Sequence, residues 1–368
     1  MSVQRHSLES TLPNDNEYIP TSNSPSAEEL NSLVASSKSA HGELDSWRTE
    51  IQGWRRARGT NQQQDLLLYG VQSKSMLGKL LQVCEELGVR PRYFWESASQ
   101  TLELSMPGRL HEVPWSGLNR FESYIEAHLR RVGVTPCGFP TVSTLGSATT
   151  YLNNGDQGEP DGCFTVYSAT AFDDSDPHIT TPLIFETAFS YSMLSAQKKA
   201  CKFIYHMDNA VRAVVICELA HIKSPSSKFR AEIGVWVAEP VAPVVAPCQA
   251  GARPHFAPLR VATAEDNGLP GALGPIFTHT NPDGTQMTIR RRNREPIVLV
   301  DEALDAVPPA VLRLHVYDLI SPCTQLPNGR VHKALEWIDI PLTKLQYTLP
   351  FEVGKHRALL RAQAKQNP

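Results

Sequence analysis

The chain has 368 residues, 41% hydrophobic and 8% aromatic, enough for one large domain or two small ones with an ordinary core. Its 35 Lys and Arg against 38 Asp and Glu leave a formal charge of −3, which excludes a global basic field for nucleic acid; any such surface must be local. Seven scattered Cys without a Cys-x-x-Cys fit reduced, buried thiols better than a disulfide framework or a zinc site.

The 28 Pro imply long irregular connections. The opening MSVQRHSLESTLPNDNEYIP lacks the apolar core of a signal peptide, and no run of about 18 apolar residues could span a membrane. The expectation is a soluble intracellular protein, not secreted and without membrane contact. Nothing separates cytoplasm from nucleus.

In chain order, residues 1–42 are rich in Ser, Asn, Glu and Pro and read as a disordered tail. SWRTEIQGWRRA (46–57) sets Trp47, Ile51 and Trp54 on one helical stripe beside Arg55, Arg56 and Arg58, either an amphipathic helix or a phosphate-contacting arm. Residues 63–88 carry a second helical pattern, Leu66, Leu67, Leu77, Leu80 and Leu81, ending near Gly88. TLELSMPG (101–108) reads as a strand closed by a Pro-Gly turn.

HEVPWSGLNRFESYIEAHLRRVGV (111–134) spaces Leu118, Phe121, Ile125 and Leu129 for a helix stopped by Gly133. SATTYLNN (147–154) and CFTVYSA (163–169) predict a hairpin about GDQGEPDG (155–162). A polar loop, FDDSDPHIT, leads to a buried strand at 182–188. SMLSAQKKACKFIYHMD (192–208) is a helix capped by Ser192, its inner stripe Ala196, Ala200, Phe203, Ile204 and Met207. VRAVVICELAHI (211–222) reads as a strand covered on both faces, and KFRAEIGVWVAEP as a more alternating one.

The fold class expected is α/β in the sense of an α+β mixed sheet, a central β-sheet flanked by helices. The core with its N-terminal helices spans 43–240, and 241–275 is a Pro/Ala/Gly-rich excursion. Strands over 276–352 extend the same domain: a hairpin about Asn281–Gly284, then LRLHVYDLI and EWIDIPL. Residues 353–368 form a tail.

Two carboxylates stand out. Asp161 follows Pro160 at the start of a hairpin strand, and Glu186 lies 25 positions later at the end of the next, inside the apolar run LIFE. An ionised Glu there is costly unless something pairs with it. If those strands are neighbours, both side chains converge at one sheet edge. Convergent hard oxygens suit Mg²⁺ or Mn²⁺, with water and a substrate phosphate completing the octahedron. The structural alternatives are an Asp-Gly turn for Asp161 and an ion pair with a helix lysine for Glu186.

Pro160-Asp161, the gap, PLIFE around Glu186, the following helix and the apolar strand together resemble the PD-(D/E)XK nuclease-like superfamily, closest to its restriction-endonuclease-like branches of mostly uncharacterised proteins. MPGRLHE (106–112) belongs to the resemblance, which covers roughly 101–237. It implies a restriction-endonuclease-like core, Asp161 and Glu186 as metal ligands, Mg²⁺ or Mn²⁺ as the ion without a small-molecule cofactor, and hydrolysis of phosphodiester bonds in DNA or RNA. A decayed site that only binds nucleic acid or a protein is the alternative it leaves open, and it is silent on oligomeric state. Pro282-Asp283-Gly284 with PIVLVDEA (296–303) imitates the pair, Asp301 lying 18 positions on, but Pro308-Pro309 interrupts the helix that should follow.

One departure matters. The resemblance implies a lysine two residues after Glu186, and this chain has Ala188. Some members supply that charge from the following helix, where Lys198, Lys199 and Lys202 are available. Lys202 or Lys198, which share a face at i, i+4, is the expected catalytic lysine, against a solvated helix face. Gln197 sits near the inner stripe. Glu112, Glu122 and Glu126 are candidates for a third carboxylate, against ordinary surface charges. His111 and Glu112 stand at the helix entrance, where capping competes with chemistry. Arg290, Arg291, Arg292 and Arg294 form the densest basic run, suited to phosphate or to protecting an exposed edge. No phosphate-binding Gly-rich loop, no Gly-x-Ser-x-Gly and no His-Glu-x-x-His is present.

Overall fold

The computed structural model describes residues 44–56, 65–106, 108–118, 121–133, 142–146, 148–167, 179–189, 193–207, 211–220, 222, 224–240, 260–261, 277–280, 286–292, 296–320 and 332–366. The expected tail at 1–42, nearly all of the 241–275 excursion, the turn about Asn281–Gly284 and the Ser192 cap lie outside them. The chain divides into two units, Met1–Thr49 and Glu50–Pro368. Helix α1 runs over 44–56; Trp47 and Ile51 on its predicted stripe are buried, and Arg55 and Arg56 are exposed.

The second unit is built on a mixed sheet with helices against it, an α+β architecture. Nine strands belong to the main sheet among the described residues. Its centre follows the alternating and continuous apolar runs: β7 (Gly162–Tyr167), β8 (Ile179–Phe189), β9 (Ala213–Leu219) and β10 (Arg230–Pro240). β7 and β8 are antiparallel, whereas β8 and β9 are parallel. A parallel pair needs a crossover, and helix α5 (Met193–His206) supplies it. β9 is buried on both faces because α5 packs on one and other helices of the unit on the opposite one.

Beyond β10 the sheet continues through shorter strands. β12 (Phe277–Thr280) pairs with β13 (Gln286–Arg291) as the expected hairpin, β13 joins β10, and β11 (Arg260–Val261) adds to β12. β14 (Ile297–Asp301) also pairs with β10, and Asp301 faces Arg230 at 3.4 Å, a structural role.

Several local expectations are corrected. The partner of β7 is β4 (Val142–Leu145), not 147–154. Thr150–Tyr151 (β5) and Gln157–Gly158 (β6) instead pair tightly with each other in a second sheet. In that sheet β1 (Leu66–Tyr69) is a strand paired with β3 (Thr101–Ser105), although its leucines extend a helical pattern in the sequence. β2 (Arg92–Glu96) lies between β3 and β6, so the order is β1-β3-β2-β6-β5. The helix proper, α2 (Lys74–Glu86), is capped by Ser73, and Gly88 supplies the positive φ (66°) that ends it.

The single helix expected over 111–134 is two, α3 (Arg109–Leu118) and α4 (Phe121–Arg131). β15 (Val311–His315) and β16 (Trp337–Pro341) pair with each other in a separate ribbon. The C-terminal tail is the second half of α6 (Thr343–Gln366), 24 residues long. Leu345, Leu349, Val353 and Leu360 are its buried stripe. Pro350 inside it conceals the helix from sequence reading, since proline usually breaks one. α6 lies against α3, where a Cβ on Gly117 would sit 2.9 Å from Leu345. Among the described residues no helix is long and apolar enough to cross a membrane.

Candidate active site between two sheets

Antiparallel pairing sets Gly162 opposite Phe185, so Asp161, one residue further out, lies beside Glu186. The Thr187 backbone N–H donates to Asp161 Oδ2, which locks that carboxylate to β8 and rules out a mere Asp-Gly turn. Gly162 serves close packing: a Cβ there would run into the Trp115 ring of α3, which packs against Phe164 and Phe185. The two acids singled out from the sequence thus come together, both buried, at 4% and 6% exposure.

Glu186 shares a face with Ile184 and Ala188, the side covered by α5. Its Oε1 is buried and has no hydrogen-bond partner among the described residues. Burial, then the neighbouring Asp161 charge, pushes its carboxyl well above the ordinary range, while Lys199 and Arg92 oppose the shift. The helix lysine acting on Glu186 is therefore Lys199. It binds Glu103 of β3 at 2.7 Å, and Glu103 also accepts from Ser195 Oγ at 2.9 Å. Burial disfavours the ammonium, yet Glu103 and Glu186 outweigh it and hold Lys199 charged.

The two lysines expected to fill this place do not. Lys198 is exposed. Lys202, one turn beyond Lys198 along α5, binds Glu96 and, at 3.2 Å, Asp156, and lies over the Phe94 ring. Pairing at i, i+4 marks a shared helix face, whereas reaching Glu186 requires a place on the rim of the buried stripe. Lys199 stands three residues after Ala196 and four before Phe203, both buried. That spacing is the signal available in the sequence.

The second sheet supplies a residue that sequence reading missed altogether. Arg92 of β2 donates through Nη1 to Asp161 Oδ1 and through Nη2 to Glu112 Oε1, the latter at 2.9 Å. Burial disfavours its charge, but Asp161 and Glu112 more than offset that. Nothing in RYFWE marks Arg92 in advance, because its partners lie 69 and 20 residues away. His111 places Nε2 3.5 Å from Asp161 Oδ2, and its buried Nδ1 has no partner among the described residues. Asp65 belongs to the same cluster: burial raises its pKa, with Lys199, Glu103, His111 and Asp161 acting on it.

Of the other candidates, Glu122 accepts from Thr144 at 3.0 Å and Glu126 pairs with Arg130 along α4. Both are structural. Gln197 is buried. Arg292 is committed to Asp318, and Arg294 lies outside the described residues.

Asp65, Glu103, Glu112, Asp161 and Glu186 thus gather around two cations, Arg92 and Lys199. Such an excess of negative charge in a half-buried cluster favours protonation or an added cation. Among the described residues no group of three or more His, Cys, Asp or Glu side chains is arranged as a ready-made metal cage. The hard-oxygen pair of Asp161 and Glu186, with one oxygen unpartnered, fits an ion that keeps most of its waters. No family model matches the chain, and no curated protein matches it.

Proposed function

We propose that the protein is a metal-dependent nuclease-like hydrolase of phosphodiester bonds in nucleic acid, with a restriction-endonuclease-like core formed by α4, β4, β7, β8, α5 and β9. The observation that carries this reading is the side-by-side placement of Asp161 and Glu186, with an unpartnered Glu186 oxygen and Lys199 held charged beside it. Asp161 and Glu186 would hold Mg²⁺ or Mn²⁺. When bound, such an ion supplies a more acidic water and neutralises charge developing on phosphate.

The chain's own residues do the rest. Glu103 and Ser195 fix Lys199, whose ammonium stabilises negative charge on phosphoryl oxygens in place of the strand lysine that Ala188 replaces. Thr187 N–H orients Asp161.

A second reading, a binding module with a decayed site, is favoured by Ala188 and by the hold of Arg92 on Asp161. The deciding experiment incubates purified protein with plasmid and with single-stranded nucleic acid, in Mg²⁺ or Mn²⁺ against chelator. Cleavage that needs the ion and disappears in Asp161→Asn and Glu186→Gln supports the enzyme. Cleavage unchanged in both variants is a contaminant and ends that reading, and binding without cleavage selects the module.

A further inference from the structure

We propose that Arg92 is an exchangeable counter-cation: its guanidinium occupies Asp161 until a divalent cation displaces it, and the displaced group, still anchored on Glu112, then takes a phosphate of the substrate. This rests on the reading of Asp161 and Glu186 as cation ligands.

The geometry has three parts. First, the two oxygens of Asp161 are held differently. Oδ2 accepts from the Thr187 backbone, which cannot leave without disturbing β8, whereas Oδ1 is held by a single long side chain. Second, Arg92 is divided between two carboxylates, so losing Asp161 leaves its bond to Glu112 intact. Third, the side chains are graded from inside to outside: that of Asp161 is 5% exposed, Arg92 12% and Glu112 42%. A guanidinium released from Asp161 and kept by Glu112 therefore moves toward the solvent side, where a polyanionic substrate arrives.

Two cations repel on one carboxylate, so the ion and Arg92 compete for Asp161. A phosphodiester that binds the freed guanidinium favours the state in which Asp161 is open. Ion and phosphate then bind cooperatively, each strengthening the other by the same factor. A planar fork that pairs with carboxylate or phosphate alike suits this exchange.

The test is Mn²⁺ titration of the full-length, chelator-stripped protein by calorimetry, with and without dimethyl phosphate, an uncleaved phosphodiester. Arg92→Gln is expected to bind Mn²⁺ about tenfold tighter than wild type, and dimethyl phosphate to tighten Mn²⁺ binding about fivefold in wild type but not in the variant. Equal Mn²⁺ affinity in wild type and Arg92→Gln, while Asp161→Asn weakens binding, overturns the exchange and leaves the cation site standing. If Asp161→Asn and Glu186→Gln leave Mn²⁺ binding unchanged, the cation site itself fails and the exchange falls with it. Circular dichroism checks folding. Should Arg92→Gln not fold, Arg92→Met, which removes the charge and keeps an unbranched apolar stem, decides by the same comparison, tighter Mn²⁺ binding supporting the exchange and equal binding overturning it.

Discussion

The ribbon end around Asp318 and the sheet junction around Glu186 each bury an acid, at 5% and 6% exposure, and the protein treats the two in opposite ways. Asp318 accepts from both Arg292 terminal nitrogens, one at 2.6 Å, and from the His315 backbone N–H at 2.7 Å, closing a capping box after β15. Arg292 in turn lies over the Trp337 ring at 5.6 Å. Both oxygens of that carboxylate are met by donors. Glu186 instead keeps an oxygen without a donor and meets its cations only through space. A closed acid has its lone pairs met within the fold, whereas a buried oxygen without a donor costs stability.

If the protein cleaves nucleic acid as proposed, the largest effect expected from this contrast is on that chemistry. Asp161→Asn and Glu186→Gln should each lower ion-dependent cleavage by about 10²–10³, and Lys199→Met should lower it as well, whereas Asp318→Asn should not change turnover per folded molecule. A gel assay of plasmid nicking in Mg²⁺ reads this; cleavage that follows Asp318 and not Glu186 would invert the assignment.

On stability the order reverses. Arg292→Ala strands Asp318 and should cost about 2–3 kcal/mol by urea denaturation. Gly162→Ala should cost about 1–3 kcal/mol by forcing Trp115 aside, and its midpoint should fall without a change in the denaturant slope.

Glu186→Gln should relieve a pH-dependent penalty. Because the folded carboxyl sits above its unfolded value near 4.5, the native state binds more protons, so wild-type stability falls as pH rises from that value toward the folded pKa. The difference between wild type and Glu186→Gln in chelator should therefore grow over that window; a pH-independent difference would show that Glu186 is not the titrating group. The smallest effect belongs to Lys198→Ala, within about 0.5 kcal/mol and without loss of cleavage, as its exposure requires.

Much of this organisation is legible in advance. Ile184 and Phe185 before Glu186, and the continuous run VVICEL, mark strands β8 and β9 because a strand buried on both faces must be apolar throughout. The stripe Ala196, Ala200, Phe203 and Ile204 marks α5 through its period. The segments that local pattern misassigns are short or interrupted. Leu66–Tyr69 is too brief to show alternation against a helical neighbour, and Pro350 hides the continuation of α6. The 147–154 segment is strand-like, but only long-range pairing sends it to the smaller sheet.

By itself, the sequence determined the alternation of elements and the pair of acids, since periodicity and spacing along the chain are local properties. The spacing of Lys199 from Ala196 and Phe203 places it on the rim of the buried stripe, but tertiary structure decided that it, rather than Lys198 or Lys202, acts on Glu186, and tertiary structure alone decided that Arg92 closes on Asp161. Those choices depend on which side chains of β2 and β3 reach Asp161 and the lysine of α5. Contacts between residues dozens of positions apart are fixed by burial and charge in three dimensions, which no single stretch of sequence records.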